Sequence, residues 1–299
     1  MSVFTVSQSS KTLVKSLLFK NGEPIVIAHR AGEFEAPENT LIAIETAAKN
    51  GATAVEIDLE FSKDDVPILF HDENVDRMTN GTGPVRSLTY EELSRLNMAA
   101  KHNVIKERGK EDRVIQFAGI PKFTEAFELC MKLGLTIILD CKSDPGLTVK
   151  TLKDLLAIHP EAPNFILVTA FNPVTVYKAR QVVPEYATGL IWRHSYCSRT
   201  ISGVQRYGMV WTVVYDMFDK LAEWFVHSRF VNMLGVGALS LQKNHMSQNY
   251  VKFFRDNDFE LLSWTVNHPL EKQYFREVLG LPIITDSVLD NPDCYEQIH

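Results

Sequence analysis

The sequence predicts an α/β chain closed into a TIM-type (β/α)8 barrel. Short apolar runs alternate with helical patterns along nearly the whole chain. The polar residues His29, Glu56, Asp58, His71, Asp140 and Asp286 stand at or near the carboxyl ends of those runs. A closed barrel gathers such ends at one mouth, whereas an open sheet spreads them along a line. The length, 299 residues, suits one large barrel.

Taken in order, Ser9 and Ser10 are placed to cap a helix running to about Lys20, with Leu13, Val14, Leu17 and Leu18 as its apolar stripe. Residues 1–23 are read as this N-terminal helix, either a plug under the fold or an anchor-proximal segment whose Lys11, Lys15 and Lys20 face anionic lipid. Residues 24–299 are read as a single catalytic barrel domain. Strands are expected at 25–28, 52–59, 135–140, 165–170, 186–192, 238–242, 260–266 and 283–285, with a further short apolar run at 66–70. Helices are expected at 38–50 (ended by Gly51), 123–133 (closed by Gly134), 147–158, 174–182, 248–256 and 269–278 (Pro269 in its first turn).

Two stretches break the rhythm. The first, about 73–120, is polar and turn-rich, with Asn80-Gly81-Thr82-Gly83-Pro84 and a helical 90–97; following directly on His71-Asp72, it is expected to roof the mouth. Asn80-Gly81-Thr82 fits a glycosylation acceptor, but the glycine-rich turn explains it without a sugar. The second insertion, about 199–237, carries Trp211, Tyr215, Phe218, Trp224, Phe225, Phe230 and Met233. It reads as a helix pair packed on the barrel or as an acyl-chain or membrane contact.

Bulk properties exclude some classes. A net charge of −6, from 31 basic and 37 acidic residues, argues against nucleic acid as the main partner and makes any anion site local. Cys130, Cys141, Cys197 and Cys294 lack finger or CxxC spacing and are expected as thiols. The uncharged runs 162–177 and 230–242 fall short of the roughly 18 residues of a membrane span. No signal-peptide pattern is seen at the N-terminus.

Glu56 and Asp58, one residue apart on a strand, share a face, and two acids that close repel unless a cation separates them. Val55, Ile57 and Leu59 make the opposite face apolar, so the strand is buried rather than a surface face. With Asp140 as a third ligand, the set suits a hard divalent ion, Mg2+ first and Ca2+ or Mn2+ next. His29 and His71, each beside a charged neighbour, are the candidate base and acid. Arg30 suits bidentate phosphate binding, and Lys142 reaches for a phosphate oxygen. Trp264 is placed to shape the mouth; Glu38 is read as orienting Arg30 or His29, and Asn39 as steadying the loop. The other seven histidines show no such context.

His29-Arg30-Ala31-Gly32, Pro37-Glu38-Asn39-Thr40, Glu56-Ile57-Asp58, His71-Asp72 and Thr79-Asn80-Gly81-Thr82-Gly83 occur in that order. With Asp140-Cys141-Lys142, Ser263-Trp264-Thr265-Val266-Asn267 and Ile284-Thr285-Asp286, they resemble the glycerophosphodiester phosphodiesterase family over about residues 24–290. The resemblance implies a (β/α)8 barrel with the family's insertion after His71-Asp72. It implies a divalent ion and hydrolysis of glycerophosphodiesters to glycerol 3-phosphate and an alcohol. It also implies a two-step route: the glycerol 2-hydroxyl attacks phosphorus with help from His29 or the metal, His71 protonates the leaving alcohol, and water opens the cyclic phosphate. Asp140 in place of a more usual Glu, the Trp192–His194 spacing and the hydrophobic stretch before Gly235 are similar to the animal membrane-associated branch, which acts on glycerophosphoinositol and lysolipids. That branch implies peripheral membrane contact, with the cytoplasm as the other compartment. Two readings compete: a lipid-directed phospholipase C- or D-like barrel, and a catalytically inactive membrane-associated binding module.

Overall fold

The structure is a computed structural model and describes residues 8–102, 115–200 and 202–290. Cys294 and His299 lie outside those residues. Eight parallel strands form the barrel: β1 (Val26–Ala28), β2 (Ala54–Phe61), β3 (Thr136–Cys141), β4 (Ile166–Ala170), β5 (Ala187–Trp192), β6 (Ala238–Gln242), β7 (Glu260–Trp264) and β8 (Ile283–Thr285). Each pairs with its sequence neighbours, and β8 closes on β1 through Ile284↔Ile27 and Thr285↔Ala28.

The helices outside are α2 (Leu41–Lys49), α4 (Phe123–Leu133), α5 (Pro145–Ile158), α6 (Pro173–Val182), α8 (Gln248–Asp256) and α9 (Pro269–Gln273). Their starts follow capping chemistry. Asp144 accepts from the Gly146 and Leu147 amides ahead of α5, Asn172 from Val174 N ahead of α6 and Ser247 from Tyr250 N ahead of α8. The expected helix 38–50 starts three residues late, because Thr40 is its cap and Asn39 sits at φ 56° in the loop before it. The expected helix 269–278 is α-helical to Gln273 and finishes as a wider π turn.

Alternation along the strands sorts the side chains. Val55, Ile57 and Leu59 point outward into the layer shared with the helices, while Ala54, Ile138, Leu167, Ala187, Ala238, Leu262 and Ile284 fill the lumen. The helix α1 (Gln8–Leu18) contains Ser9 and Ser10 within its span rather than before it. It packs Val14, Leu17 and Leu18 against that lumen layer, so it plugs the amino-terminal end of the barrel. Its lysines are drawn into the protein's own contacts: Lys11 pairs with Asp258 and Lys15 with Glu260.

The apolar run at 66–70 is a short strand, Pro67–Leu69, running antiparallel to the end of β2. This return brings His71 back to the mouth. The insertion beyond it has its own small core, including Phe70, Val75, Val85, Leu93 and Met98, and a short helix α3 (Tyr90–Ser94) held by a Thr89/Glu92 capping box. At Gly81 an added Cβ would lie 2.8 Å from Leu96, a packing reason for the glycine.

The second insertion holds one long helix, α7 (Met209–Val226), and a 3₁₀ stretch, Arg229–Leu234. The helix-pair expectation fails for α7, because only Thr212 and Val226 of its residues are buried. Among the described residues no helix is long and apolar enough to cross a membrane. Cys130, Cys141 and Cys197 are free thiols.

Candidate active site

The carboxyl ends of the strands open into a cavity of about 780 Å³. Seven of the eight expected site residues line it: His29, Arg30, Glu56, His71, Asp140, Lys142 and Trp264. Asp58, the eighth, lies fully buried beneath it.

The acid cluster follows from register. Asp58 on β2 is directly opposite Asp140 on β3, and Glu56 stands one step below Asp58 on the same face. Ligand oxygens of Glu56, Asp58 and Asp140 fall within 4.8 Å of one another. Lys142 Nζ sits 2.5 Å from Asp140 Oδ2 and 2.9 Å from Asp58 Oδ1. One ammonium does not neutralise three carboxylates, so repulsion remains among the buried acids. Burial, followed by repulsion from Asp58, pushes Glu56 up to about 8. Burial also raises Asp140 against the pull of Lys142, while Lys142, His71 and Arg30 outweigh burial at Asp58 and hold it low. Asp140 Oδ1 is buried with no hydrogen-bond partner. A buried orphan acceptor among three crowded carboxylates fits a divalent cation with oxygen ligands.

His29 opens a tight turn at the end of β1, in which Arg30 and Ala31 take positive φ values of 47° and 64°. Non-glycine residues pay for that conformation, and such strain concentrates at working sites. The turn aims Arg30 N at Glu56 Oε2, 2.8 Å away. The Arg30 side chain reaches Glu38 and Glu33, each at 3.1 Å through Nη1, and its Nε is buried without a partner. An unused guanidinium donor at the edge of the cavity suits a phosphate oxygen. Asn39 donates to Asp58 Oδ2 at 2.7 Å and accepts from Asp58 N at 3.0 Å, so it fixes the metal-type carboxylate as well as the loop.

Both histidines lean on aspartates through Nδ1. His29 Nδ1 is 2.5 Å from Asp286 Oδ1, and His71 Nδ1 is 2.6 Å from Asp72 Oδ1. Each pairing sets the tautomer and leaves Nε2 for chemistry. Burial alone would lower the His29 pKa, but Asp286 and Glu33 outweigh it and hold the imidazole well above its usual value. Asp286, raised by burial and lowered more by His29, ends at about 2.

A model of the glycerophosphoryl diester phosphodiesterase family matches residues 29–290. The chain belongs to this family. Its activity is accordingly that of a glycerophosphodiester phosphodiesterase. It is 39% identical over 269 residues to glycerophosphodiester phosphodiesterase 1 of Mus musculus, covering 90% of this chain and 78% of that one. The Homo sapiens protein of the same name is 38% identical over the same length. The barrel is similar to that of an Oleispira antarctica phosphodiesterase solved with sn-glycerol-3-phosphate, at TM-score 0.64 and 23% identity, covering 88% and 93% of the two chains. It is also similar to a putative glycerophosphoryl diester phosphodiesterase from Silicibacter pomeroyi, at TM-score 0.68 and 19% identity, covering 93% and 95%.

In this phosphodiesterase the geometry adds residues that sequence reasoning did not select. Asp286 was visible as a polar strand end, but its partnership with His29 depends on barrel closure. Asn267 donates to Asp286 Oδ2 at 2.5 Å. Arg77 bridges Asp72 and Glu38, its Nε 2.5 Å from Asp72 Oδ2 and its Nη2 2.6 Å from Glu38 Oε1. It thereby joins the partner of His71 to the partner of Arg30. Trp264 donates to Ser240 O at 3.2 Å and meets Phe171 edge-on at 5.9 Å, while Phe171 stacks on Tyr196 at 4.7 Å. These three rings line one side of the cavity.

Proposed function

We propose that this enzyme hydrolyses glycerophosphoinositol-like diesters, and lysophospholipids beside them, to glycerol 3-phosphate or lysophosphatidate plus an alcohol. The observation that carries the reading is the pair of His–Asp couples flanking three crowded carboxylates in one cavity. Likeness to the relatives named above supports the phosphodiester chemistry. The apolar wall of Phe171, Tyr196 and Trp264 supports an acyl-bearing or ring-bearing substrate. Peripheral membrane contact belongs to the same reading.

Glu56, Asp58 and Asp140 would hold a divalent ion, Mg2+ in preference to Ca2+ or Mn2+. Bound there, such an ion supplies Lewis acidity beside the phosphoryl oxygens. The chain's own groups do the proton work. In its neutral form, which its raised pKa confines to the more alkaline range, His29 Nε2 takes the proton of the glycerol 2-hydroxyl as its oxygen attacks phosphorus and the bond to the leaving alcohol breaks. His71 Nε2 gives that alcohol its proton. Water then opens the resulting cyclic phosphate, with the two histidines in reversed roles. Arg30 Nε and Lys142 offset charge on the phosphoryl oxygens.

A substrate panel read by glycerol 3-phosphate release from glycerophosphodiesters and by lysophosphatidate release from lysophospholipids, with and without a chelator and then with each of the three ions restored, tests the proposal. Metal-restored release, strongest from glycerophosphoinositol or lysophospholipid, is the expected result. Full activity in chelator, or its persistence in Glu56→Ala, refutes the metal assignment.

A further inference from the structure

The aromatic wall of the cavity is backed by a buried cation. Arg193, just past β5, is 5% exposed and makes no ion pair among the described residues. Its guanidinium gathers main-chain carbonyls instead. Nη2 lies 2.6 Å from Arg199 O, and Nη1 lies 3.2 Å from His194 O, 3.4 Å from Ser195 O and 3.5 Å from Thr200 O. All four belong to one loop, folded tightly enough that Ser195 takes φ 55°. Asp219 of α7 pins the same loop, accepting the Cys197 and Ser198 amides at 2.7 and 2.9 Å. A buried cation without a carboxylate costs stability. What it contributes is geometry, since its planar donors fix the loop. That loop carries Tyr196 into the cavity wall. Phe171 stacks on the Tyr196 ring at 4.7 Å, and the Arg193 guanidinium carbon lies over it at 5.2 Å. The Tyr196 hydroxyl has no hydrogen-bond partner among the described residues.

Strand order shows which half of the substrate meets this ring. His29 and Asp286 stand where β1 joins β8, with Trp264 on the neighbouring β7. His71 lies by Asp58 on β2 and Asp140 on β3, whose carboxylates its charge stabilises. Next round the barrel come β4 and β5, which Phe171 and Tyr196 follow. Phosphoryl transfer sets the attacking and leaving oxygens roughly in line. With the attack on the His29 side, the leaving alcohol departs past His71 towards β4 and β5. We propose that Tyr196 is a specificity-determining residue for the leaving alcohol, favouring a hydroxylated ring over a short chain, and that Arg193 is the positioning residue that holds it in place. The inference rests on the substrate reading above and names the subsite within it. A hydroxylated ring offers C–H groups to the aromatic carbons and hydroxyls to the free Tyr196 oxygen, and a two-carbon alcohol offers no such face. Glu73 and Asp76 also line the cavity and would favour an ammonium-bearing alcohol, so glycerophosphoethanolamine makes the sharpest comparison.

The test measures kcat and KM of the whole chain, with divalent ion present, on glycerophosphoinositol and on glycerophosphoethanolamine. Both release glycerol 3-phosphate and differ only in the leaving alcohol. Tyr196→Ala is expected to lower the ratio of kcat/KM, inositol over ethanolamine, by about tenfold, with the change carried by KM. Tyr196→Phe is expected to fall between the two, since it keeps the ring and loses the hydroxyl. Arg193→Met is expected to lower the ratio by about fivefold, with Arg193→Lys recovering part. Because Arg193 acts through Tyr196, Arg193→Met/Tyr196→Ala is expected to match Tyr196→Ala alone. Should Arg193→Met fail to fold, Arg193→Lys makes the same comparison, and Tyr196→Ala, at a site 43% exposed, decides the specificity half by itself. Wild type without release from glycerophosphoinositol overturns the substrate reading and this inference with it. An active wild type whose ratio Tyr196→Ala leaves in place overturns this inference alone. Losses from the Arg193 and Tyr196 changes that add in full, or an Arg193 variant slowed equally on both substrates, remove the positioning role.

Discussion

His29 and His71 hold aspartates through the same ring nitrogen, yet the two couples are built from different materials. His29 and Asp286 are 257 positions apart, on the ends of adjacent strands β1 and β8, whose backbone register sets their approach. Asn267 clamps the same carboxylate from the end of β7. His71 and Asp72 are neighbours on a loop, and their outside support is Arg77, which is itself 45% exposed. One couple inherits its position from barrel closure, and the other depends on a single cation in the insertion. The proposed base is therefore positioned by the barrel strands, and the proposed acid by loop contacts.

Removing either imidazole gives the largest effect. His29→Ala and His71→Ala are each expected to lower kcat by roughly 10²–10⁴ with the fold intact. A leaving group of low pKa separates them, because it needs no protonation. Such a substrate is expected to rescue His71→Ala and leave His29→Ala slow. Equal rescue of both variants breaks the assignment of base and acid.

The aspartates come next. Asp286→Asn removes a charge from the better buried couple, and the expected loss in kcat is about 10²–10³. Asp72→Asn is expected to cost only about tenfold, because the His71 side chain is 31% exposed against 18% for His29 and water screens the pair. Equal losses in kcat would show that loop and barrel couples are energetically alike.

Arg77→Ala probes the support of the loop couple. It frees Asp72 and leaves Glu38 to Arg30 alone, tightening the pair that phosphate must share. Expected are a KM raised about fivefold and a kcat lowered by a similar factor, with Arg77→Lys recovering part of both. A change in thermal stability with both kinetic constants untouched would reduce Arg77 to a structural tie.

What the sequence made legible follows the same division. Period-two alternation placed Glu56 and Asp58 in the lumen without any knowledge of their neighbours, because a strand's two faces are a local property. Strands 238–242 and 283–285 and helix 248–256 match because turn residues or a Ser247 cap bound them. Asp286 was found as a strand end but not as a partner, since contact across 257 positions depends on closure. Arg77 was missed because its role is set by loop geometry, which has no period. For α7 the sequence showed a helix rich in aromatics, but a pattern of sides does not tell which side faces the protein. That was decided by Asp219 and the amides it caps.

The smallest expected effect concerns a brace beside the barrel couple. Glu35, on the loop after β1, accepts a hydrogen bond from Ser287 Oγ on the loop after β8, so it ties together the two loops that carry His29 and Asp286. Burial pushes the Glu35 carboxyl up to about 7, and the bond from Ser287 only partly offsets that. Its folded value exceeds its unfolded value of 4.5, so between those two pH values the native state binds more protons than the unfolded chain. Stability from this group is therefore greatest at low pH and is lost as pH rises through about 7. Glu35→Gln keeps the shape and removes the titration. In urea unfolding the variant is expected to match wild type near pH 5 and to exceed it by about 1–3 kcal/mol near pH 8. Burial would raise the Asp72 carboxyl, but His71 and Arg77 outweigh it and hold it low, so the term for Asp72→Asn has the opposite sign and falls at acid pH, below this window. Parallel pH–stability curves for Glu35→Gln and wild type would show that water reaches this carboxyl and that the barrel-side couple stands without its help.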